Sequence, residues 1–207
     1  MMINKRRIFL QHFLSYAILL LVGVAVLIPV LWMLSTSLKN DMEIFTIPPR
    51  WIPIDGTFIA YQRIWTDYPF ARYFFNSFIV VSVSTLISLA FSCLAGYGAS
   101  RFHFRGKGMF LTFLLITQMF PSIMLLIPFY KIIQTLGLIN THAALIMTYI
   151  SFTIPFCSWM MMGYFQSIPK DLDEAAAIDG SSRFRIFYQI VLPLALPGVA
   201  ATAIYSF

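Results

Sequence analysis

Hydrophobic positions along this chain come in long unbroken runs rather than in alternation. An uncharged stretch extends from Phe13 to Leu34, a second run from about Phe75 to Ala99, a third from Met109 to Tyr130 and a fourth from Ala143 to Tyr164. A fifth begins at Leu192 and reaches the last residue, Phe207. At about 1.5 Å per residue, each of the first four is long enough to cross a hydrocarbon core of roughly 30 Å. Lipid offers no water to unpaired backbone groups, so a spanning segment is either a helix or part of a closed barrel. Runs of this length, without ten-residue alternating segments, select helices. The expected fold class is therefore all-α: a polytopic transmembrane helical bundle forming a single domain over residues 1–207, with helices at about 13–34, 75–99, 109–130, 143–164 and 192–207 and a loop at 165–191. Counted from Pro193, the last run is only about 22 Å long and has no polar tail, so the chain is expected to be unfinished. The first run exceeds the apolar core of a signal peptide and lacks a small-residue exit before Ser35-Thr36-Ser37, which reads as an uncleaved first helix.

Composition narrows the class further. The chain is 59% hydrophobic and 11% charged, with a mean hydropathy of +0.81, which leaves too little polar surface for a soluble domain of this size. The net charge of +6 is spread between apolar runs instead of gathered on one face, so it marks topology, and no nucleic-acid partner is expected. Of the 14 Lys and Arg residues, nine (Lys5, Arg6, Arg7, Arg101, Arg105, Lys107, Lys170, Arg183, Arg185) fall on alternate sides from the remaining five. The positive-inside bias then places the N-terminus and the 165–191 loop on the cytoplasmic side of the membrane, with lipid as the surrounding partner.

Candidate chemistry inside the spans is sparse. Cys93 and Cys157 both lie in apolar segments and read as packing residues. His12, His103 and His142 have no partner at metal-ligand spacing, so neither a metal site nor a catalytic residue is expected. The spans carry no Asp, Glu, Lys or Arg, which removes the usual means of coupling to an ion gradient. The glycine-rich phosphate loop with its lysine is absent as well, so no cofactor is expected in this chain and energy must arrive from a partner. Ser84, Ser88, Ser92 and Gly96 recur every four residues and predict a close-packing seam along one helix face. Pro121, Pro128, Pro155, Pro193 and Pro197 are candidate bends. Thr117, Gln118, Thr148, Ser151, Thr153 and Ser158 are expected to hydrogen-bond between helices. In the first loop Trp51, Tyr61, Trp65, Tyr68 and Tyr73 suit a membrane interface.

The loop before the fifth run has its own pattern. After Ile168-Pro169, residues Asp171 to Gly180 read as a short helix with acidic residues in its first half and a glycine stop. Its three alanines present a smooth surface suited to a groove in another protein. Ser181 and Ser182 are placed to cap a second helix, in which Phe184, Phe187 and Ile190 have amphipathic spacing.

Glu174-Ala175-Ala176, Gly180, Ile190 and Leu192-Pro193 together resemble the E-A-A-x3-G-x9-I-x-L-P signature of binding-protein-dependent ABC importer permeases, with all seven fixed positions matched. Pro48-Pro49-Arg50-Trp51-Ile52-Pro53, Asn76-Ser77, Gly96-Tyr97-Gly98-Ala99-Ser100-Arg101-Phe102 and Met119-Phe120-Pro121 are similar to the carbohydrate (maltose-type) branch, with Gly98 where such proteins more often carry alanine. The resemblance implies a bundle of six helices, of which about five are present here. It also implies a loop helix that docks into an ATPase subunit, so that Glu174, Ala175, Ala176, Asp179, Gly180, Ile190, Leu192 and Pro193 would form the coupling loop. The implied partners are two ATPase subunits that bind the ATP, a second homologous permease and an extracytoplasmic solute-binding protein. The implied activity is passage of a sugar by alternating access, in a chain that is not itself an enzyme. An importer of a non-sugar solute and a non-transporting membrane scaffold stand as the other readings.

Overall fold

The structure is a computed structural model that describes residues 5–207; within the first helix it describes the side chains of residue 10 and of residues 12 onward. The side chains of Lys5, Arg6 and Arg7, on which part of the orientation argument leans, lie outside the described residues. The chain divides into two compact units, Met1–Tyr73 and Phe74–Phe207. Among the described residues every regular element is helical.

The first unit holds α1 (Lys5–Ser37), α2 (Asp41–Ile44) and α3 (Ile59–Thr66). From His12 to Ser37, α1 is long and apolar enough to span a membrane, and it runs through Pro29 without ending. Its leucines and valines are exposed, the arrangement of a helix solvated by lipid. The turn after α1 is fixed by Lys39, only 5% exposed, whose ammonium lies 4.3 Å from the centre of the Trp32 ring and donates to the Arg50 carbonyl. Trp51 meets Trp32 edge to face at 4.9 Å, which ties the proline-rich segment back to the helix end. At the surface Asp41 accepts from Arg63 at 2.6 Å, and this hydrogen bond and charge push the Arg63 pKa up.

In the second unit, α4 (Phe70–Arg101, which begins before the unit boundary) and α7 (His142–Ser167) are each long enough to span. The serine seam on α4 is buried as its four-residue spacing predicts: Ser84 is 5% exposed, and Ser88 and Ser92 are fully covered. Ser92 Oγ donates across to the Ile154 carbonyl at 3.3 Å, and Ser158 Oγ lies 3.5 Å from Ser92 Oγ. At the end of the seam the backbones come so close that a Cβ at Gly96 would stand 2.8 Å from both Met161 Cβ and the Met162 nitrogen.

Two of the expected helices are broken. The third run divides into α5 (Lys107–Met119) and α6 (Ser122–Thr135), bent by 99°. The cause is Pro121: it denies the chain an amide donor and forces Phe120 into the extended region, at φ −75° and ψ 125°. The fifth run is broken at Ala195 by 74°, between a segment ending at Leu194 and α11 (Leu196–Ser206), whose first turn contains Pro197. Pro128 and Pro155, by contrast, sit inside continuous helices. The polar side chains also divide. Gln118 donates to the Phe152 carbonyl across the α5–α7 contact at 3.2 Å, and Ser158 lies against Ser92. Thr117, Thr148, Ser151 and Thr153 turn back onto carbonyls of their own helices, because the nearest acceptor to a short hydroxyl is three or four residues behind it.

The seam generates a direct test. Gly96→Ala drives a methyl group into the α7 backbone and is expected to lower stability by about 1–3 kcal/mol. Gly98→Ala, with nothing within 4 Å of the new Cβ, gains helix propensity and is expected to be neutral or stabilising by up to ~1 kcal/mol. Thermal unfolding midpoints of the two variants in one detergent give the comparison.

Candidate functional site

The loop motif folds into α8 (Asp171–Ile178). Its entry is organised by the Lys170 carbonyl, which accepts from the amides of Asp173 and Glu174 at 2.9 and 3.1 Å. Asp171, Asp173 and Glu174 all lie in the first turn, where negative charge complements the exposed amide ends of the helix. The exit is a Schellman turn: Gly180 N–H donates to the Ala177 carbonyl at 3.1 Å and Ser181 N–H to the Ala176 carbonyl at 3.0 Å. Gly180 supplies the left-handed backbone this closure requires, with φ at +79°, and its missing side chain points into open space. Asp179 is the residue between helix and glycine, its own amide donating back to Ala175.

Packing splits the signature by direction. Asp173 and Ala176, three residues apart on one face, are 5% and 7% exposed. Glu174, Ala175, Asp179 and Gly180 face outward, and so does Ile178, which is 86% exposed. The three alanines are thus not one smooth surface, because Ala176 is spent on the protein's own core. That core is an aromatic hub: Tyr97 of α4 meets Phe165 of α7 edge-on at 5.8 Å and Phe187 at 4.8 Å.

The second half of the signature serves the same core. Ser182 caps α9 (Arg183–Ile186), its hydroxyl accepting from the Arg185 amide at 3.3 Å. The chain continues as a π-helical turn, Phe187–Val191, and α10 (Leu192–Leu194). Of the expected amphipathic face, Phe187 is buried and Ile190 packs against the core, while Phe184 is 72% exposed; Ile186 and Val191, five residues apart across the wider turn, are both fully buried. Ile190 and Leu192 pack partly buried against the hub, and Pro193 is exposed in the first turn of α10.

One pair escaped the sequence reading. Arg101, the last residue of α4, places Nε 2.8 Å from Asp173 Oδ2, with the two side chains 4% and 7% exposed. The approach is an ion pair without hydrogen-bond alignment; among the described residues Arg101 Nη1 and Asp173 Oδ1 are buried with no partner. Arg101 Nη2 donates to the Ile168 carbonyl at 3.0 Å, so one guanidinium holds both the chain leaving α7 and the first turn of α8. Nothing in the local spacing of either residue signals the other. The available hint was an arginine at a helix end with no acidic neighbour on its own helix.

No group of three or more His, Cys, Asp or Glu residues is assembled for a metal among the described residues. Long apolar helices, broken spans and a capped loop helix packed on the bundle are the features of a multi-pass membrane protein. A family model for the binding-protein-dependent transport system inner membrane component matches residues 88–207, and the chain belongs to that family. It is 37% identical over 197 residues to a diacetylchitobiose uptake system permease protein of Streptomyces coelicolor, covering 93% of this chain and 64% of that protein. It is 36% identical over 196 residues to a sulfoquinovosyl glycerol transport system permease protein of Agrobacterium fabrum, covering 95% of this chain and 68% of that one. The chain thus spans about two thirds of the length of these relatives. The fold is similar, at a TM-score of 0.80 and 24% identity, to a crystal structure of a bacterial ABC transporter involved in the import of the acidic polysaccharide alginate, over all of this chain and 71% of that one.

The geometry sets two expectations. Gly180→Ala strains the left-handed position by about 1–2 kcal/mol, and hydrogen exchange at the Ser181 amide is expected to speed up as the closure opens. Arg101→Met leaves Asp173 as a buried lone charge and is expected to destabilise by about 3–5 kcal/mol, most of which Asp173→Leu added on top restores. Chemical or thermal unfolding of the single and double variants measures the difference.

Proposed function

We propose that this chain is a translocation subunit of an ATP-driven importer for a carbohydrate, and that α8 is the element through which separate ATPase subunits act on it. The observation that carries the reading is the outward face of α8. Glu174, Ala175 and the 86% exposed Ile178 stand on a rigid, capped helix whose other face is buried in the bundle. A bulky apolar side chain held out on such a helix, beside small and acidic ones, suits insertion into a partner's groove. In this arrangement α8 lies on the cytoplasmic side with the N-terminus, two ATPase subunits bind the nucleotide, a second homologous permease completes the path, and a solute-binding protein delivers from outside. The chain supplies no catalytic group. ATP closure of the ATPases shifts the balance between two arrangements of the permease helices by favouring one of them.

The solute class rests on the relatives, whose names specify diacetylchitobiose and sulfoquinovosyl glycerol and which align along nearly all of this chain. The Gly-Tyr-Gly-Ala-Ser-Arg-Phe stretch supports the same branch, and it ends on Arg101, which the fold uses to hold α8.

Tagged at its N-terminus and extracted from its native membrane in mild detergent, the chain is expected to bring down an ATPase subunit and a second permease. Deletion of residues 171–180 is expected to abolish the ATPase, and Ile178→Asp to reduce it about tenfold or more. Recovery of the tagged chain alone, under conditions that keep other transporters assembled, overturns the reading. Uptake of a panel of labelled di- and oligosaccharides by cells with and without the chain tests the solute class, and unchanged uptake of every sugar removes it.

A further inference from the structure

We propose that the Arg101–Asp173 pair is a clamp that makes α8 and the end of α4 move as one body, so that both are positioning residues in energy transfer. The inference deepens the reading of α8 as the ATPase-docking element and rests on it. An outward face that engages a partner does no work unless its displacement is passed to the bundle. The contacts that connect α8 to the rest of the protein include the Ala176 side chain in the aromatic hub, the chain entering through Ile168, its packing beside α9 and the π-helical turn, and the ion pair. Ala176 contributes a single methyl group to the buried cluster and resists sliding weakly. The guanidinium sets its charge against Asp173, with Nε 2.8 Å from Oδ2, and donates by Nη2 to the Ile168 carbonyl, from a residue that is the last of a 32-residue helix. A pull on α8 therefore reaches α4 as a movement of its end instead of a bending of the loop.

The placement of the pair also separates its role from docking. Asp173 faces inward, while Glu174 beside it faces outward, so a change at Asp173 leaves the docking surface itself intact. Among the described residues the pair has no third charged partner that would hold the two elements together without it.

The test uses the assembled complex, purified through the tagged chain, with ATP plus vanadate as the probe. A reporter, Ser77→Cys, is placed on the exposed part of α4 far from its Arg101 end and labelled with a maleimide; the native Cys93 and Cys157 are buried, which keeps the background low. With Arg101 and Asp173 intact, nucleotide is expected to change the labelling rate. In Asp173→Asn the amount of copurified ATPase is expected to stay within about twofold, while the nucleotide-dependent change in labelling shrinks by about threefold to thirtyfold, the range a residue within a coupling network commands. The double variant Arg101→Met with Asp173→Leu keeps a satisfied interior and is expected to assemble yet show the same shrinkage, which also decides the matter should Asp173→Asn fail to assemble. A full nucleotide response in an assembled double variant overturns the clamp while leaving docking in place. Absence of the ATPase, or of any nucleotide response, with the pair intact overturns the underlying reading as well.

Discussion

The missing side chain at Gly96 sets the distance between α4 and α7, and the rest of the second unit is arranged by that distance. Lipid gives two apolar helices no reason to prefer each other over hydrocarbon, so association depends on backbones coming close enough for dispersion and short polar contacts. The serine seam provides the approach along α4 and Gly96 completes it against Met161 and Met162. Tyr97 follows directly in sequence, and the contact sends its ring toward Phe165 and Phe187. Arg101, one turn further on, is thereby delivered to the first turn of α8. A side chain at Gly96 would have to push α7 away at Met161 and Met162, next to the contacts that seat Tyr97 and Arg101.

The loop signature divides its labour along the same line. Ala176, Ile190 and Leu192 belong to the hub, and Glu174, Ala175 and Gly180 belong to the outer surface and its closure. A motif that reads as one functional string is, in three dimensions, a structural half that seats α8 and an outward half that remains free for a partner. The alternation follows from helix geometry, since residues three apart share a face and their immediate neighbours do not. The glycine is needed by neither face. It is needed by the backbone, which has to reverse within two residues without leaving the last carbonyls of α8 unpaired.

Much of this was legible in the residues. Runs of apolar side chains announced the spans, the four-residue serine spacing announced the seam, and the proline-to-glycine interval announced the bounds of α8, because each is a local rule with one dominant cause. The breaks were only half legible. Five prolines of equal standing give breaks at Pro121 and beside Pro197 and none at Pro128 or at Pro155, which is buried inside α7. The π turn at Phe187–Val191 could not be read at all. Its extra residue per turn is chosen by the hub, which takes Ile186 and Val191 together and leaves Phe184 outside. Asp173 was hidden for a related reason: its acidic neighbours Asp171 and Glu174 have the same local signature, and only the tertiary fold decides which of the three turns inward.

An ion pair is a costly way to join two helices, since both charges lose water and an apolar pair of similar size gives equal or greater stability. What the ionic version adds is direction. The guanidinium donates by Nη2 to the Ile168 carbonyl while its charge stands against Asp173, so both contacts are kept only when α4, the end of α7 and the start of α8 stand in one relation. An apolar contact tolerates sliding by an ångström with little loss, because dispersion and burial change gradually over that distance, whereas a buried charge that slips from its partner meets no water to replace it. The contact is therefore steep where the hub is shallow, and steepness is the property required of a joint that passes a small displacement on.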